Sequence, residues 1–475
     1  MAVAAGAALV STAWGSAAGW PQPNQSLTGQ RAAVGTAISS TSVAGLRVLW
    51  RFRLPTGSPF GSFASTPLVV GATVYFQDLR SSVYALDLRT GRRRWWYLQR
   101  APNDGPNGLA ADGRRLFGAT DTSVFALDRR TGRRLWARRL VRPTEQFVDV
   151  APLAANGLVF ASTVGLAPRG RGALYALDER TGAIRWRFAT VRDPWRHASA
   201  GGGGAWYPPS VAPDGRLYVG IANPTPWGGT PRLPNGGAHP GATPYTDALV
   251  ALEARSGRLL WFDQVTKHDV RDYDFELSPI VAGDTVYGAG KAGRVVAWNR
   301  ITGKRRWTRA VGTHLHDLGP LPSRPVRVCP GLWGGVLTPM AAAGGRLFVP
   351  LVERCMAESS TRSAPLQSLF DGHGALVALS AGNGRRLWTR RLGSPATGCA
   401  TVARDVVFTA TLAGRVVALS AKNGEILWQT TARAGINGCP AIARDVLVVG
   451  AGAPVPSRAD EVREVVAYGL SDAQP

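Results

Sequence analysis

The chain has 475 residues, 45% of them hydrophobic, which excludes a disordered chain. Its formal net charge is +24, from 55 basic against 31 acidic residues. That charge invites a nucleic-acid reading, but the arginines sit in turns such as TGRRRW, TGRRLW and NGRRLW spread along the chain, so no nucleic-acid partner is expected. Lysine is confined to Lys267, Lys291, Lys304 and Lys422, so arginine stands in for it almost throughout.

Residues 1–19, MAVAAGAALVSTAWGSAAG, are apolar and small, and they end near a stretch like a signal-peptidase site. They lack a basic opening but read as a signal or export segment, with a disordered tail as the alternative. Residues 20–475 then form one domain. No later stretch reaches the roughly 18–20 apolar residues of a membrane span, so no transmembrane span is predicted.

From residue 83 onward one pattern recurs: VYALDLRTGRRRW (83–95), VFALDRRTGRRLW (124–136), LYALDERTGAIRW (174–186) and LVALEARSGRLLW (249–261). It continues through VVAWNRITGKRRW (295–307), LVALSAGNGRRLW (376–388) and VVALSAKNGEILW (416–428). Each copy is an alternating strand, a Thr-Gly, Ser-Gly or Asn-Gly turn, and a second strand opening near a tryptophan, which is a hairpin signature. Another strand pair precedes each, and four strands every roughly 40–50 residues make a β-propeller blade. GLRVLWRFRL (45–54) reads as an outer strand lacking inner ones, and EVREVVAYGL (461–470) as a third strand lacking a fourth. Joined, they complete an eighth blade and close the ring through both terminal segments, which removes exposed sheet edges. The expected fold is therefore all-β, an eight-bladed propeller, with seven blades as the rival. Trp95, Trp136, Trp186, Trp261, Trp307, Trp388 and Trp428 read as wedges between blades, not as ligand sites.

Three Gly/Pro-rich insertions, 223–247, 311–335 and 353–374, are too long for hairpin turns and are expected to cover one face. The four cysteines show no metal spacing and no haem-attachment motif. Cys399 and Cys439 occupy the same place in adjacent repeats, so Cys399–Cys439 and Cys329–Cys355 are the expected disulfides, suited to an oxidising compartment. Buried free thiols are the alternative. HDVRDYDFE (268–276) crowds His268 and the four acids Asp269, Asp272, Asp274 and Glu276 between strands, and His314 and His316 in THLHD have the look of a metal pair, though on a Gly/Pro-rich insertion a metal site is not the expected reading.

The YALDxxTGxxxW hairpins resemble those of the eight-bladed quinoprotein alcohol dehydrogenases, whose cofactor is pyrroloquinoline quinone (PQQ), and also those of outer-membrane assembly lipoproteins. The segments GGGGAWYPPSVAPDGRLYVGIANPTPW, HDVRDYDFE and GKAGRVVAWNR follow the order of the dehydrogenase active-site segments, and CPGLWGGVLTPMAAAGGRLFVP (329–350) is most similar to the polyvinyl-alcohol dehydrogenase branch. The resemblance implies Trp206 as the floor under PQQ and Lys291 as its basic partner, with the preceding glycines admitting the cofactor closely. It implies Asn223, Asp272 and Asp274 as ligands of Ca²⁺ or a lanthanide, and Asp272 as the general base. Arg271 and Ala222 stand where the family has Trp and Gly. Two family features are missing. A metal-binding Glu is replaced by Ala167 or Gly165, with Asp247 or Glu276 as substitutes, and a vicinal Cys pair by Pro102 and Asn103. Tyr207, Trp227, Tyr245 and Trp333 are candidate pocket residues. The implied function is oxidation of a small or polymeric alcohol, outside the cytoplasm, with electrons passed to an external acceptor. A non-catalytic protein-binding propeller is the alternative.

Overall fold

A computed structural model describes residues 19–470 apart from 56, 102, 143–145, 149, 166–169, 192–200, 363–370 and 456–460. The expected export segment, Gly19 excepted, therefore lies outside the described residues. Among these, eight four-stranded antiparallel units stand in sequence around a ring. They span 68–97, 109–139, 153–189, 210–264, 280–310, 341–391, 401–431 and, last, 441–470 with Leu46–Arg53 as the outermost strand. That outer strand pairs antiparallel with Glu464–Leu470, running from Leu46 opposite Leu470 to Arg53 opposite Glu464. Eight blades and closure through both terminal segments are thus observed, and seven is excluded.

The hairpin turns explain their own sequence. The Asp87 carboxylate accepts from the Arg89 and Thr90 N–H groups and from the Thr90 hydroxyl at 3.0–3.1 Å, fixing the turn that places Gly91 at φ +68°. Asp128, Asp178 and Asn299 cap the later turns in the same way. Each such glycine lies under the tryptophan of the preceding blade. A Cβ on Gly132 would stand 2.6 Å from Trp95, and one on Gly182 2.6 Å from Trp136. The indole N–H then crosses to the same turn: Trp95 donates to the Arg129 carbonyl at 3.1 Å and Trp136 to that of Glu179 at 3.0 Å. Trp50, Trp186, Trp261, Trp307 and Trp388 repeat the arrangement. Trp428 differs, because the closing blade has no Gly turn to offer, and it meets Tyr468 edge-on at 5.4 Å.

Residues 20–31 carry no repeat and were assigned no element from sequence, yet they thread the channel past every blade. Backbone bonds join Trp20 to Val69, Pro21 to Ala111, Leu27 to Val211, Thr28 to Val281, Gln30 to Ala342 and Arg31 to Val402. The Gln22 side chain reaches Ala154 at 3.2 Å, and Arg31 reaches Pro440 at 2.9 Å, adding the third and eighth blades. Arg31 is fully buried, with five oxygen acceptors and no carboxylate, and burial lowers its pKa to about 9. Both expected disulfides are formed, Cys329–Cys355 and Cys399–Cys439. No described helix is long and apolar enough to cross a membrane.

Gly132→Ala is expected to lower stability by at least about 1–2 kcal/mol, the cost of a left-handed L-residue, plus the Trp95 clash. Gly113→Ala, at φ +52° with nothing within 4 Å of the added Cβ, separates the two contributions. Urea denaturation of both variants measures the difference. Equal losses would refute the indole contact as a determinant of blade packing.

Candidate functional site

In an antiparallel four-stranded blade, connections from second to third strand and from one blade to the next emerge on the same face of the ring. All three insertions belong to this face, and they bond to one another. Asn235 accepts from Leu321 N–H at 2.7 Å and donates to its carbonyl at 3.1 Å, while Ser360 accepts from Asn235 N–H at 2.7 Å. Val326–Val328 pairs with Met356–Glu358, and the Cys329–Cys355 bridge staples the same two insertions. The expected cover is real.

Beneath it lies the loop 268–276. Asp269 caps it from within, its carboxylate accepting from Arg271 N–H at 2.8 Å and Tyr273 N–H at 2.6 Å. Asp269 is structural, as its place in the motif suggested. Arg271, where the family has Trp, sends its guanidinium to the His316 and Gly319 carbonyls at 2.9 Å, and Tyr273 donates to the Pro330 carbonyl at 2.7 Å, so the loop hangs from the cover. Between these anchors Asp272 adopts φ +63°, a left-handed conformation that Asp tolerates better than most residues. Phe275 bridges to Ile221, which lays the loop alongside the segment leading to Asn223.

Four predicted residues meet here. Lys291 Nζ lies 2.6 Å from Asp272 Oδ2 and 2.5 Å from Asp274 Oδ2. Asn223 donates its side-chain Nδ2 to Asp272 Oδ1 and its backbone N–H to Asp274 Oδ1, each at 2.8 Å. All four are buried, and Trp333 flanks the ammonium at 5.3 Å from the ring centre. Burial works against the Lys291 ammonium, but Asp272, Asp274 and Glu276 outweigh it and hold its pKa well above the ordinary value. Burial also raises Asp272 well above the usual carboxylate range, against the attraction of Lys291, and raises Asp247 and Glu276 likewise.

Trp206 is half-buried on the connection between the third and fourth blades, its ring 5.6 Å from Phe147. The glycines before it serve the chain's own packing: a Cβ on Gly202 would stand 2.5 Å from the Asn223 carbonyl, and Gly203 N–H donates to that carbonyl at 2.8 Å. They dock the Trp206 segment onto Asn223. Of the other aromatic candidates, Tyr245 packs between Phe188 and Phe262, and Tyr207 donates to the Leu337 carbonyl at 3.0 Å. The metal-pair reading of His314 and His316 is corrected. His314 bonds Asp317 at 2.7 Å, and His316 bonds the Arg327 carbonyl at 3.0 Å.

Calcium or a lanthanide does not fit the side chains present. Among the described residues no group of three or more His, Cys, Asp or Glu is arranged to hold a metal ion. Gly165 has no room for the family's glutamate, since a Cβ there would stand 2.2 Å from Gly170. Ala167 and Pro102 lie outside the described residues. Asp247 is fully buried with neither carboxylate oxygen hydrogen-bonded, yet neither it nor Glu276 completes such a group. Asn223, Asp272 and Asp274, the expected ligands, bond one another and Lys291 here. A planar quinone fits better. Trp206 offers a partly open ring face and Lys291 a cation, while Asn103 Nδ2 and Thr225 Oγ1, also on this face, are buried with no hydrogen-bond partner.

Fold and site together define a propeller of the quinoprotein alcohol-dehydrogenase type. Residues 11–167, 105–349 and 372–471 match the PQQ_2 family, described as outer membrane protein assembly factor BamB, and the chain belongs to that family. It is 25% identical over 284 residues to the quinoprotein alcohol dehydrogenase PedH of Pseudomonas putida, covering 52% of this chain and 46% of that enzyme. The chain thus spans less than half the length of that relative. The quinohemoprotein alcohol dehydrogenase of Comamonas testosteroni superposes with a TM-score of 0.82 at 22% identity, over 95% of this chain and 80% of that one. A europium-containing methanol dehydrogenase superposes at 0.79 and 21% identity, over 95% and 98%. At these identities the structures establish the fold.

Burial pushes Glu358, within the cover, from the ordinary 4.5 up to about 7 against the pull of Arg271, and Asp269 from 3.8 up to about 6. The folded chain then binds these protons more tightly than the unfolded chain, so stability is highest at the acid end of the window and falls as pH rises toward about 7. The melting temperature is expected to drop between pH 5 and 7.5, and Glu358→Gln to flatten the drop. A melting temperature that rises across this window in wild type would contradict the assignment.

Proposed function

We propose that the channel mouth binds PQQ and oxidises an alcohol, small or polymeric, with Asp272 as general base. The observation carrying this reading is the buried Lys291–Asp272–Asp274–Asn223 assembly. Burying several acids around one ammonium costs stability, and a scaffold has no use for it. The scaffold reading has the family's description on its side, but nothing in it calls for these four side chains at the channel mouth.

When bound, PQQ supplies the two-electron acceptor for the hydride leaving the carbinol carbon. The chain's residues supply the rest. Trp206 gives the ring a flat apolar face, and Lys291 presents an N–H donor and positive charge to the quinone oxygens. Asp272 takes the hydroxyl proton as the carbon–oxygen double bond forms. The insertions bonded over loop 268–276 exclude water and hold Asp272 in its strained conformation. Electrons leave to an external acceptor. Two disulfides fit an oxidising, extracytoplasmic compartment.

Purified protein is expected to bind one PQQ per chain and to reduce dye in an alcohol-dependent manner. Asp272→Asn should keep quinone binding while lowering kcat by about 10²–10⁴-fold. Full activity in that variant would refute the assigned base, and no quinone binding by wild type would refute the reading as a whole.

A further inference from the structure

All four oxygens of the two facing carboxylates are already taken. Oδ1 of Asp272 and Oδ1 of Asp274 accept from the Asn223 side chain and backbone at 2.8 Å, Oδ2 of Asp272 accepts from Lys291 Nζ at 2.6 Å, and Oδ2 of Asp274 stands in ion-pair contact with the same ammonium at 2.5 Å. The Asn223 amide presents its nitrogen, not its oxygen, to Asp272. A metal ion entering between the carboxylates would have to evict the ammonium, because two cations a few ångströms apart in a buried site repel strongly. The ammonium has nowhere comparable to go, with Trp333 on its flank and the cover above. A glutamate at Gly165 would be sterically barred, since a Cβ there stands 2.2 Å from Gly170. Lys291 has three N–H donors; one is given to Asp272 while Asp274 lies in ion-pair contact, so a donor remains for a ligand.

We propose that the Lys291 ammonium is the site's resident cation, standing where a divalent or trivalent metal would otherwise sit, so that this propeller binds its quinone without metal. The proposal rests on the quinone reading for its ligand, but not for its cation. The ammonium offsets one of the pair's two negative charges and keeps a donor for a quinone oxygen, while Asp272 remains an acceptor. Lys291 here touches the bound ligand directly, and Asn223 positions the two carboxylates through its paired donors.

The test uses the full chain, stripped with EDTA, and two independent readouts. PQQ binding followed by tryptophan quenching should be unchanged, within about threefold in Kd, on adding excess Ca²⁺ or La³⁺. Elemental analysis of the complex should find no stoichiometric metal. Terbium luminescence sensitised by the nearby tryptophans should be absent in wild type. It should emerge in Lys291→Met, where the two carboxylates face each other without a cation, and vanish again in Lys291→Met/Asp272→Asn. Stoichiometric metal in wild type, or quinone binding that needs metal, overturns the proposal. So does Asp272-dependent terbium luminescence in wild type. If PQQ fails to bind under every condition, the quinone reading falls while the terbium experiment still decides the cation. If Lys291→Met does not fold, wild-type metal content and luminescence decide alone.

Discussion

The spacing of the ring rests on an indole laid on a glycine. In every blade but the closing one the turn glycine has positive φ, and a Cβ on it would clash with the preceding blade's tryptophan, as at Gly91 under Trp50 and Gly303 under Trp261. The indole N–H is buried in the same step and finds a carbonyl of the same turn. Contact and hydrogen bond together fix both the distance and the rotation between neighbouring blades. Once that geometry repeats around the circle, the last inner strands and the first outer strand must meet, and they do, residue by residue from Leu46 to Arg53. A channel of set width follows, with the long connections gathered at one end.

What gathers there is costly. Asp247, Asp269, Asp272, Asp274 and Glu276 are all buried in one region, and Lys291 is the cation that touches two of them. Arg271 is buried beside them but spends its guanidinium on backbone carbonyls of the cover. Charges held out of water in this way weaken a fold unless hydrogen bonds compensate, and here Asn223 and the backbone of loop 268–276 provide them. Stability is given up locally to hold a carboxylate and an ammonium in fixed relation at a channel mouth.

Much of this was legible in the sequence because it repeats. The strand alternation, the Asp-x-x-Thr-Gly turn and the tryptophan recur often enough to show blade number and closure, and the equivalent positions of Cys399 and Cys439 showed their pairing. The assembly of Asn223, Asp272, Asp274 and Lys291 was legible only through family resemblance, since nothing in local sequence says that residues 223 and 291 approach a loop at 272. Two features escaped. The segment from Trp20 to Arg31 has no periodicity because its residues answer to different blades, and the partners of Gln22 and Arg31 emerge only in the structure. The bonding of Lys291 to both aspartates also escaped, because sequence shows which charges are present and not which oxygens are already occupied.

The central claim, that one ammonium and one strained aspartate organise a quinone site at the channel mouth, is tested most directly by a crystal structure of the PQQ complex grown with excess calcium, with anomalous data. The account predicts the quinone ring stacked on Trp206, Lys291 Nζ within hydrogen-bond distance of Asp272, Asp274 and a quinone oxygen, and no anomalous peak between the carboxylates. A quinone bound elsewhere, or a metal peak between Asp272 and Asp274 with Lys291 turned away, would contradict it.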